Sequence, residues 1–292
     1  MPVIGERPEV TLDSILLATD FSEASQRATA YATQLARRYG SCLHIVSVVN
    51  LNVPVAVGDG SVQLPVNDLV ESNKACLDAV VASIQGVECV PHAPESFSIS
   101  NAILEVARAT GAAMIVMGTT SKPAWKKVIL GSTAEEVIRA AEVPVLTVGP
   151  QVPTLPEAPI PFQKIVFADD LSGQSARTLP VALAFAEDSG AQLYVCRVLG
   201  TPEKGKVTAS EAQVEHDLRK SIPAAALDWC QPEYVIEHGK APEGILELAG
   251  EIGADLIVLG ARKSTFRLSY FERGVTPAVI AEAKCPVLSF CA

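Results

Sequence analysis

Short runs of apolar residues alternate along the chain with longer stretches of helical periodicity. The apolar runs are rich in β-branched residues and lack polar alternation, which is typical of parallel strands buried on both faces. The clearest runs in the first half are Ile15–Thr19, Leu43–Val49, Met114–Met117 and Val145–Val148. Alternation of strand and helix indicates right-handed crossovers and a parallel sheet covered by helices on both faces.

The stretches between these runs predict helices. Ser22 is placed to cap a helix that runs to Arg38 and ends at Gly40, and Ala28 and Ala32 fall on its inner face. The other predicted helices are Asp68–Ile84, Asn101–Thr110, Ser132–Ala141, Ser172–Ser189, Ser210–Ser221, Pro242–Ile252 and Val275–Ala283.

The second half of the chain repeats the first. Residues 15–49 align without a gap to residues 165–199, at an offset of 150, and eleven of these 35 positions are identical. Residues 103–118 align to residues 245–260 at an offset of 142. Two aligned blocks that are separated by a single difference in length indicate a gene duplication. The pattern therefore predicts an α/β protein with two tandem domains, each with a sheet of about five strands.

A proline-rich segment separates the two copies. Five prolines fall within residues 149–161. Because proline fixes φ and removes a hydrogen-bond donor, we expect an extended and fairly stiff connector. We place a first domain at residues 1–149, a linker at 150–162 and a second domain at 163–292.

Composition narrows the class of protein. Hydrophobic residues make up 49% of the chain and charged residues 19%, with a mean hydropathy of +0.28, which excludes a mainly disordered chain. The apolar runs are far shorter than the ~20 residues that span a bilayer, and the N-terminal residues lack the pattern of a secretory signal. A net charge of −10 and a pI near 5.0 disfavour nucleic acid and membranes as partners.

Cysteine and histidine spacing adds two expectations. Seven cysteines without a Cys-x-x-Cys pair are typical of reduced thiols, so we expect a cytoplasmic protein. We interpret six of them as small core residues and Cys291 as exposed. No metal site is expected, because no ligand spacing is present among His44, His92, His216 and His238.

Two features follow strands at the edge where ligands bind in open parallel sheets. Asp20 comes directly after the first strand, and the strand that ends at Gly118 is followed, after a loop, by Gly131, Ser132 and Thr133 at a helix start. We expect Gly118 to permit a tight turn and Gly131 to let the backbone approach an anion closely. The helix dipole and two hydroxyls add to such a site. Each residue alone also fits a structural role, but together they suit a nucleotide.

The spacing of Gly118, Gly131 and Ser132 after a strand ending in Val-Met-Gly, with the early Asp20, resembles the motif of the universal stress protein family. The resemblance is to its tandem form and covers about residues 13–149 and 163–292. It implies two Rossmann-like domains of the adenine nucleotide alpha hydrolase-like kind. Each would have a five-stranded parallel sheet of order 3-2-1-4-5 with helices on both faces.

The ATP-binding branch of that family implies a nucleotide site in the first domain, with ATP or a related adenine nucleotide, with or without Mg²⁺, as the ligand. In that branch the early Asp and a second-strand Val contact adenine and ribose, while the glycine loop and the hydroxyls after it hold phosphates. Ser121 replaces the family's second loop glycine and Ala18 replaces a proline. The candidate residues are Ala18, Asp20, Val48, Met117, Gly118, Ser121, Gly131, Ser132 and Thr133.

The second domain departs from this motif. The aligned positions are Asp170, Gly260, Lys263, Arg273 and Gly274. Arg273 puts a long cationic side chain where Gly131 allows close backbone approach. The second site is therefore either lost, the commoner fate of a duplicated site, or converted into an anion site to which Arg262 and Arg267 contribute.

Family members often dimerise through the last strand of the sheet, which is an exposed apolar edge. In this chain those strands are Pro144–Val148 and Pro286–Phe290. We expect them to pair with each other as an intramolecular pseudo-dimer, and further homodimerisation stays open.

Three functions are compatible with these features. The first is a cytoplasmic stress-response protein that binds nucleotide in its first domain as a regulatory or binding module, and is not primarily an enzyme. The second is a nucleotide-free scaffold that binds protein partners or a small hydrophobic ligand through Val53–Pro65. The third is a slow ATP-hydrolysing enzyme, for which the sequence offers no catalytic base.

Overall fold

The two halves fold into the same succession of main strands and helices. The computed structural model of the chain describes residues 11–52, 66–119, 122–124, 127–154, 162–200, 210–228, 230–261 and 274–291. The first half contains β1 (Ser14–Ala18), α1 (Glu23–Tyr39), β2 (Cys42–Val46), β3 (Val49–Asn50), α2 (Val66–Ser83), β4 (Cys89–His92), β5 (Glu95–Ser96), α3 (Ile99–Ala109), β6 (Met114–Gly118), β7 (Lys122–Ala124), β8 (Lys127–Ile129), α4 (Ser132–Ala140) and β9 (Val145–Val148). The second half contains β10 (Lys164–Ala168), α5 (Gly173–Ser189), β11 (Gln192–Leu199), α6 (Glu211–Ser221), a 3-10 turn (Ala224–Asp228), β12 (Glu233–His238), α7 (Ala241–Ile252), β13 (Leu256–Gly260), α8 (Val275–Glu282) and β14 (Val287–Phe290).

Helix α1 begins and ends at the residues whose types favour those positions. The Ser22 hydroxyl accepts a hydrogen bond from the Ser25 amide (3.3 Å), and Gly40 ends the helix in the left-handed conformation at a φ of 66°. Helix α5 uses the aligned residues Ser172 and Gly190 in the same way. The predicted bounds of α1 are therefore confirmed.

One ten-stranded sheet runs through both halves of the described chain. Its order is β12-β11-β10-β13-β14-β9-β6-β1-β2-β4. Within each half the third, second, first, fourth and fifth main strands follow one another, which is the order that the family resemblance implies. The third strands, β4 and β12, lie at the outer edges of the sheet, and none of their residues is fully buried.

Antiparallel pairing of β9 with β14 joins the halves in the middle of this sheet. Leu146 lies opposite Leu288, and the two residues are 142 apart, so they occupy the same position of the repeat. The Thr147 hydroxyl donates a hydrogen bond to the Val287 carbonyl (3.0 Å), and Ser289 makes the matching bond on the other side (3.4 Å). The contact is thus symmetric about the leucine pair, and the expected intramolecular pseudo-dimer is confirmed.

A second contact between the halves joins the ends of α1 and α5. Arg38 Nη2 lies 2.7 Å from the Asp188 carboxylate, to which the Tyr39 hydroxyl also donates a hydrogen bond (2.6 Å). Arg38 and Asp188 are 150 apart and therefore occupy the same position of the repeat. In a symmetric homodimer such a position meets its own copy with the same charge. Duplication within one chain allows opposite charges there.

Helices cover both faces of the sheet. Buried residues of α1, α2, α5 and α6, among them Leu35 and Leu77, pack on one face against Ile15 and Phe167. Those of α3, α4, α7 and α8, among them Val137, pack on the other. In the described parts of the chain no helix is long and apolar enough to cross a membrane.

The cysteines are all free thiols; Cys42 and Cys89, expected in the core, are half-buried, and two others are the opposite of what we expected. Cys291, expected to be exposed, is 1% exposed because it follows the central strand β14 under a layer of helices. Cys76, expected in the core, is exposed, because the adjacent Leu77 is the residue of α2 that faces the sheet. Those two predictions were wrong. The sequence pattern did not show which of two neighbouring apolar residues the helix buries.

Candidate functional site

A cavity of about 690 Å³ lies in the first half, at the carboxyl ends of the strands. The chain leaves β1 through α1 on one face of the sheet and returns through α3 to β6 on the other face. The strand order therefore reverses between β1 and β6, and a crevice opens there. Cavities of about 300–1,000 Å³ are the size that takes small-molecule ligands.

Most of the residues selected from the sequence border this cavity. Ser121 lies outside the described residues. The others all belong to its lining, which brings together residues that are up to 115 positions apart: Ala18, Asp20, Val48, Met117, Gly118, Gly131, Ser132 and Thr133. The lining has two ends, which we call the β2 side (Ser47, Val48 and Asn73) and the α4 side (Gly131, Ser132 and Thr133).

Asp20 is held by a tight turn between β1 and α1. Its Oδ1 accepts hydrogen bonds from the Ser22 amide (3.1 Å) and the Ser22 hydroxyl (2.5 Å). Burial acts to raise the pKa of Asp20, but these bonds, with one from Ser25, bring it below its ordinary value. The turn forces Phe21 into the left-handed region at a φ of 63°, a strained conformation for a bulky residue. A carboxylate accepts about four hydrogen bonds, so Asp20 keeps acceptor capacity for a ligand.

Gly118 has a packing role rather than the predicted turn role. It is the last residue of β6 and its φ is not positive. A Cβ atom on Gly118 would lie 2.3 Å from the Ala24 carbonyl oxygen, so the missing side chain lets α1 pass directly over the strand end. The expectation of a turn was wrong, because the sequence alone did not show that α1 crosses β6 at this residue.

Gly131 has no such packing role in the part of the chain that the structure describes. It precedes the first residue of α4 with φ −60° and ψ 142°, angles that other residues adopt readily. A Cβ atom there would meet no atom of the described residues within 4 Å. Gly131 therefore leaves open space at a helix start, where no side chain caps the free amides and the helix dipole is positive. This arrangement suits an anion.

Val48 presents backbone polar groups to the cavity. The Ser47 and Val49 amides donate to the carbonyls of His92 (3.0 Å) and Pro94 (2.9 Å), on the β4 side. Because successive residues of a strand point their backbone groups to opposite sides, the amide and carbonyl of Val48 point toward β1. Strand β1 has ended there, since its pairing with β2 stops at Val46. Within the described residues neither group has a backbone partner.

Two polar side chains of the lining were not found by sequence reasoning. Asn73, on α2, donates through Nδ2 to the Ser47 hydroxyl (2.8 Å), while its Oδ1 is buried without a hydrogen-bond partner. Thr119 is 3% exposed, and its hydroxyl is also buried without a hydrogen-bond partner in the described structure. Unpartnered buried polar atoms are costly, so each of these two atoms lowers the stability of the fold unless a group beyond the described residues pairs with it. No local pattern marks them, because their place depends on how α2 and β6 pack.

The walls of the cavity are apolar. Strand β2 contributes Val46, and β6 contributes Met117. Helix α3 contributes Ile99 and Ile103, and the loop that precedes α4 contributes Leu130. An apolar body with polar groups at its two ends is the usual composition of a site for a ligand with an aromatic ring and a polar tail.

The second half keeps one part of this arrangement. Asp170 accepts hydrogen bonds from the Ser172 amide (3.1 Å) and the Ser175 hydroxyl (2.5 Å), and Leu171 repeats the strained φ of Phe21 at 56°. Gly260 ends β13, and Gly274 precedes α8 without a side-chain cap. The remaining candidates, Lys263 and Arg273, and with them Arg262 and Arg267, lie outside the described residues.

The equivalent of the β2 side is different in the second half. Arg197 occupies the position of Ser47, and Asp169 that of Thr19. Arg197 Nη1 donates to the Asp169 carbonyl (3.4 Å), and its Nε is buried without a partner in the described structure. Asp169 is 4% exposed, and its carboxylate accepts a hydrogen bond from the Ser221 hydroxyl (3.2 Å). A guanidinium and a buried carboxylate thus stand where the first half has two small hydroxyl residues.

Metal-ligating side chains do not gather in the described residues. No group of three or more His, Cys, Asp or Glu residues there could hold an ion. His44 and His92, which the sequence spacing did not connect, are in contact through Nδ1 and Nε2 (2.9 Å) on neighbouring strands. Burial lowers the pKa of both imidazoles.

Comparison with known proteins identifies the family. The universal stress protein family model matches residues 11–149 and 161–290. A universal stress protein of Methanocaldococcus jannaschii is 34% identical over 137 residues, which are 46% of this chain and 80% of the relative. One from Thermus aquaticus is 33% identical over 135 residues, 44% of this chain and 97% of the relative.

The fold is also that of a solved structure over its whole length. A universal stress protein from Archaeoglobus fulgidus superposes with a TM-score of 0.74 at 19% identity, over 97% of this chain and 99% of its own. Because the family model matches both halves, this chain belongs to the universal stress protein family.

Proposed function

We propose that the first half of this protein binds an adenine nucleotide, ATP or a close relative, in the cavity between β1, β2, β6 and α4. The observation that carries the proposal is Gly131, whose missing side chain opens space at an uncapped helix start and is not required by packing against the described residues. Helix starts of this kind are common phosphate sites.

Successive parts of the cavity suit the base, the ribose and the phosphates of such a ligand. The β2 side offers the backbone of Val48 and apolar walls that include Met117, which suit a base. Asp20 offers a carboxylate to the ribose hydroxyls. On the α4 side, free amides and the hydroxyls of Ser132 and Thr133 would hold phosphates. Mg²⁺, where ATP brings it, would be ligated chiefly by phosphate oxygens.

We propose a binding module rather than an enzyme. Among the described lining residues Asp20 alone is titratable, and its lowered pKa makes it a poor base near neutral pH. The loop that leads to Gly131 reaches the other half, because its strand β8 packs against α8. Occupancy would therefore change a contact between the halves, which suits a cytoplasmic stress-response regulator.

Thermal denaturation tests the proposal. A ligand that binds only the folded state stabilises it, so ATP with Mg²⁺ at 100 times its Kd should raise the melting temperature by about 5 °C. Gly131→Arg, which introduces the residue of the second half, should abolish the shift. Gly250→Arg is the matched control, because Gly250 is exposed on α7 with no atom within 4 Å of its Cβ position.

Other outcomes favour the other functions. No shift at millimolar ATP would contradict nucleotide binding and favour the scaffold, whose predicted segment, Val53–Pro65, lies outside the described residues. Phosphate released over many turnovers in wild type, and lost in Gly131→Arg, would contradict the non-enzymatic part of the proposal.

A further inference from the structure

The contact between the two halves has the arrangement of a twofold dimer without its full symmetry. Its axis passes between Leu146 and Leu288, which occupy the same position of the repeat and lie opposite each other in β9 and β14. In a twofold dimer of identical units, a residue near the axis meets its own copy. Pairs of two first halves or of two second halves would therefore make different contacts from those in this chain.

The ends of α1 and α5 distinguish these pairings by charge. Arg38 and Asp188 form an ion pair at 2.7 Å, and less than a third of each side chain is exposed (29% and 31%). Arg38 also donates to the Asp188 carbonyl (2.9 Å), and the Tyr39 hydroxyl donates to the carboxylate. Two first halves would bring two Arg38 guanidinium groups together here, and two second halves would bring two Asp188 carboxylates together. Like charges that are partly withdrawn from water repel more strongly than exposed ones.

The ends of β9 and β14 distinguish the pairings by shape. A Cβ atom on Gly149, directly after β9, would lie 2.4 Å from the Ile280 carbonyl oxygen of α8. The aligned residue after β14 is Cys291, which is buried and carries a Cβ atom. Helix α4 therefore cannot approach the end of β14 as closely as α8 approaches the end of β9. Two second halves would set Cys291 against the Ile280 carbonyl on both sides of the axis.

We propose that this interface is specific for one partner: a first half pairs with a second half and rejects its own copy. Charge at Arg38 excludes a pair of first halves, while charge at Asp188 and the Cβ atom of Cys291 exclude a pair of second halves. Repulsive elements against the wrong partner are a common source of specificity at interfaces. Every assembly then contains one half with the cavity and one with the altered site, whether or not nucleotide binds.

Charge exchange on the full chain tests this specificity. D188R gives the contact the two arginines of a first-half pair, R38D gives it the two carboxylates of a second-half pair, and R38D/D188R restores opposite charges. Hydrogen exchange of the amides in β9 and β14 reports on the interface, because these strands pair only with each other across it. Each single variant should speed that exchange about tenfold, and the double variant should return to within about threefold of wild type.

The matched control for charge lies within the second half. E215R sets like charges together at an ion pair of α6, which is 2.7 Å long and more exposed than the pair of Arg38 and Asp188. It should leave exchange in β9 and β14 within about twofold of wild type.

Glycine replacement tests shape independently. G149C introduces the residue of the second half, and its Cβ atom must displace α8, so it should also speed exchange in β9 and β14 about tenfold. G149A carries the same Cβ atom and serves if G149C does not fold. G250A is the control, because no described atom lies within 4 Å of that Cβ position, and it should change the exchange by less than about twofold.

Three results would each overturn the proposal. The first is wild-type exchange in either single charge variant, and the second is a double variant that exchanges as fast as the single variants. The third is wild-type exchange in the glycine variants at position 149, which would show that α8 tolerates a pair of second halves.

Discussion

The β2 side of the first half and its equivalent in the second half have the same backbone fold but different side chains. In the first half, Thr19 and Ser47 are small hydroxyl residues on the edge of a cavity. In the second half the same positions carry Asp169 and Arg197, which contact each other through a backbone carbonyl. The fold thus survives with charged side chains at this place, so an open cavity there is not needed for folding.

The same contrast holds on the other parts of the lining. Thr119, whose hydroxyl is buried and unpartnered, aligns with Ala261, which has no hydroxyl to satisfy. Gly131 aligns with Arg273. The first half therefore keeps a hydroxyl at Thr119 and a missing side chain at Gly131, and the second half has neither at the aligned positions. A ligand site in the first half would explain why features that cost stability are present in that copy and absent from the other.

The largest effect should come from giving the first half the second half's residue at position 47. In Ser47→Arg a long cationic side chain would occupy the β2 side, and Asn73 would lose its partner. We expect the affinity for ATP to fall by at least about 100-fold, while the free energy of unfolding changes by less than about 2 kcal/mol. Calorimetry and urea denaturation measure the two quantities. Tight ATP binding by Ser47→Arg would show that the base does not lie there.

An intermediate effect should separate the two glycines of the motif. Gly118→Ala forces a Cβ atom against the Ala24 carbonyl, so it should lower the free energy of unfolding by about 2 kcal/mol. Gly131→Ala meets no atom and should change stability by less than about 1 kcal/mol, yet weaken ATP about tenfold. Denaturation and binding curves on both variants check this. Equal losses of stability would contradict the assignment of Gly131 to a ligand.

The smallest effect should come from Asp20. Asp20→Asn removes a charged acceptor at an exposed position, and we expect ATP to bind about fivefold more weakly. The folded-state pKa of Asp20 lies below 3.8, so the stability that its ionised form gives the turn is present above pH 3.8 and is lost as the pH falls through the folded-state value. ATP affinity measured between pH 5 and 8 should therefore show no titration by Asp20.

The sequence was sufficient for features that depend on neighbours in the chain. The ends of α1 follow from Ser22 and Gly40, and the placing of Asp20 and Gly131 at strand and helix ends follows from local pattern. It was insufficient for features set by packing between distant segments. The part played by Asn73 depends on the rotation of α2 over β2, and Gly118 is required by the path of α1. The burial of Cys291 depends on the pairing of the two halves.

The number of nucleotides held by one chain tests the central claim most directly. Native mass spectrometry of the wild-type protein with ATP counts them without assuming where they bind, and Gly131→Arg shows which half holds them. Our account predicts one nucleotide per wild-type chain and none in Gly131→Arg. Two nucleotides per chain, or one that Gly131→Arg retains, would contradict it.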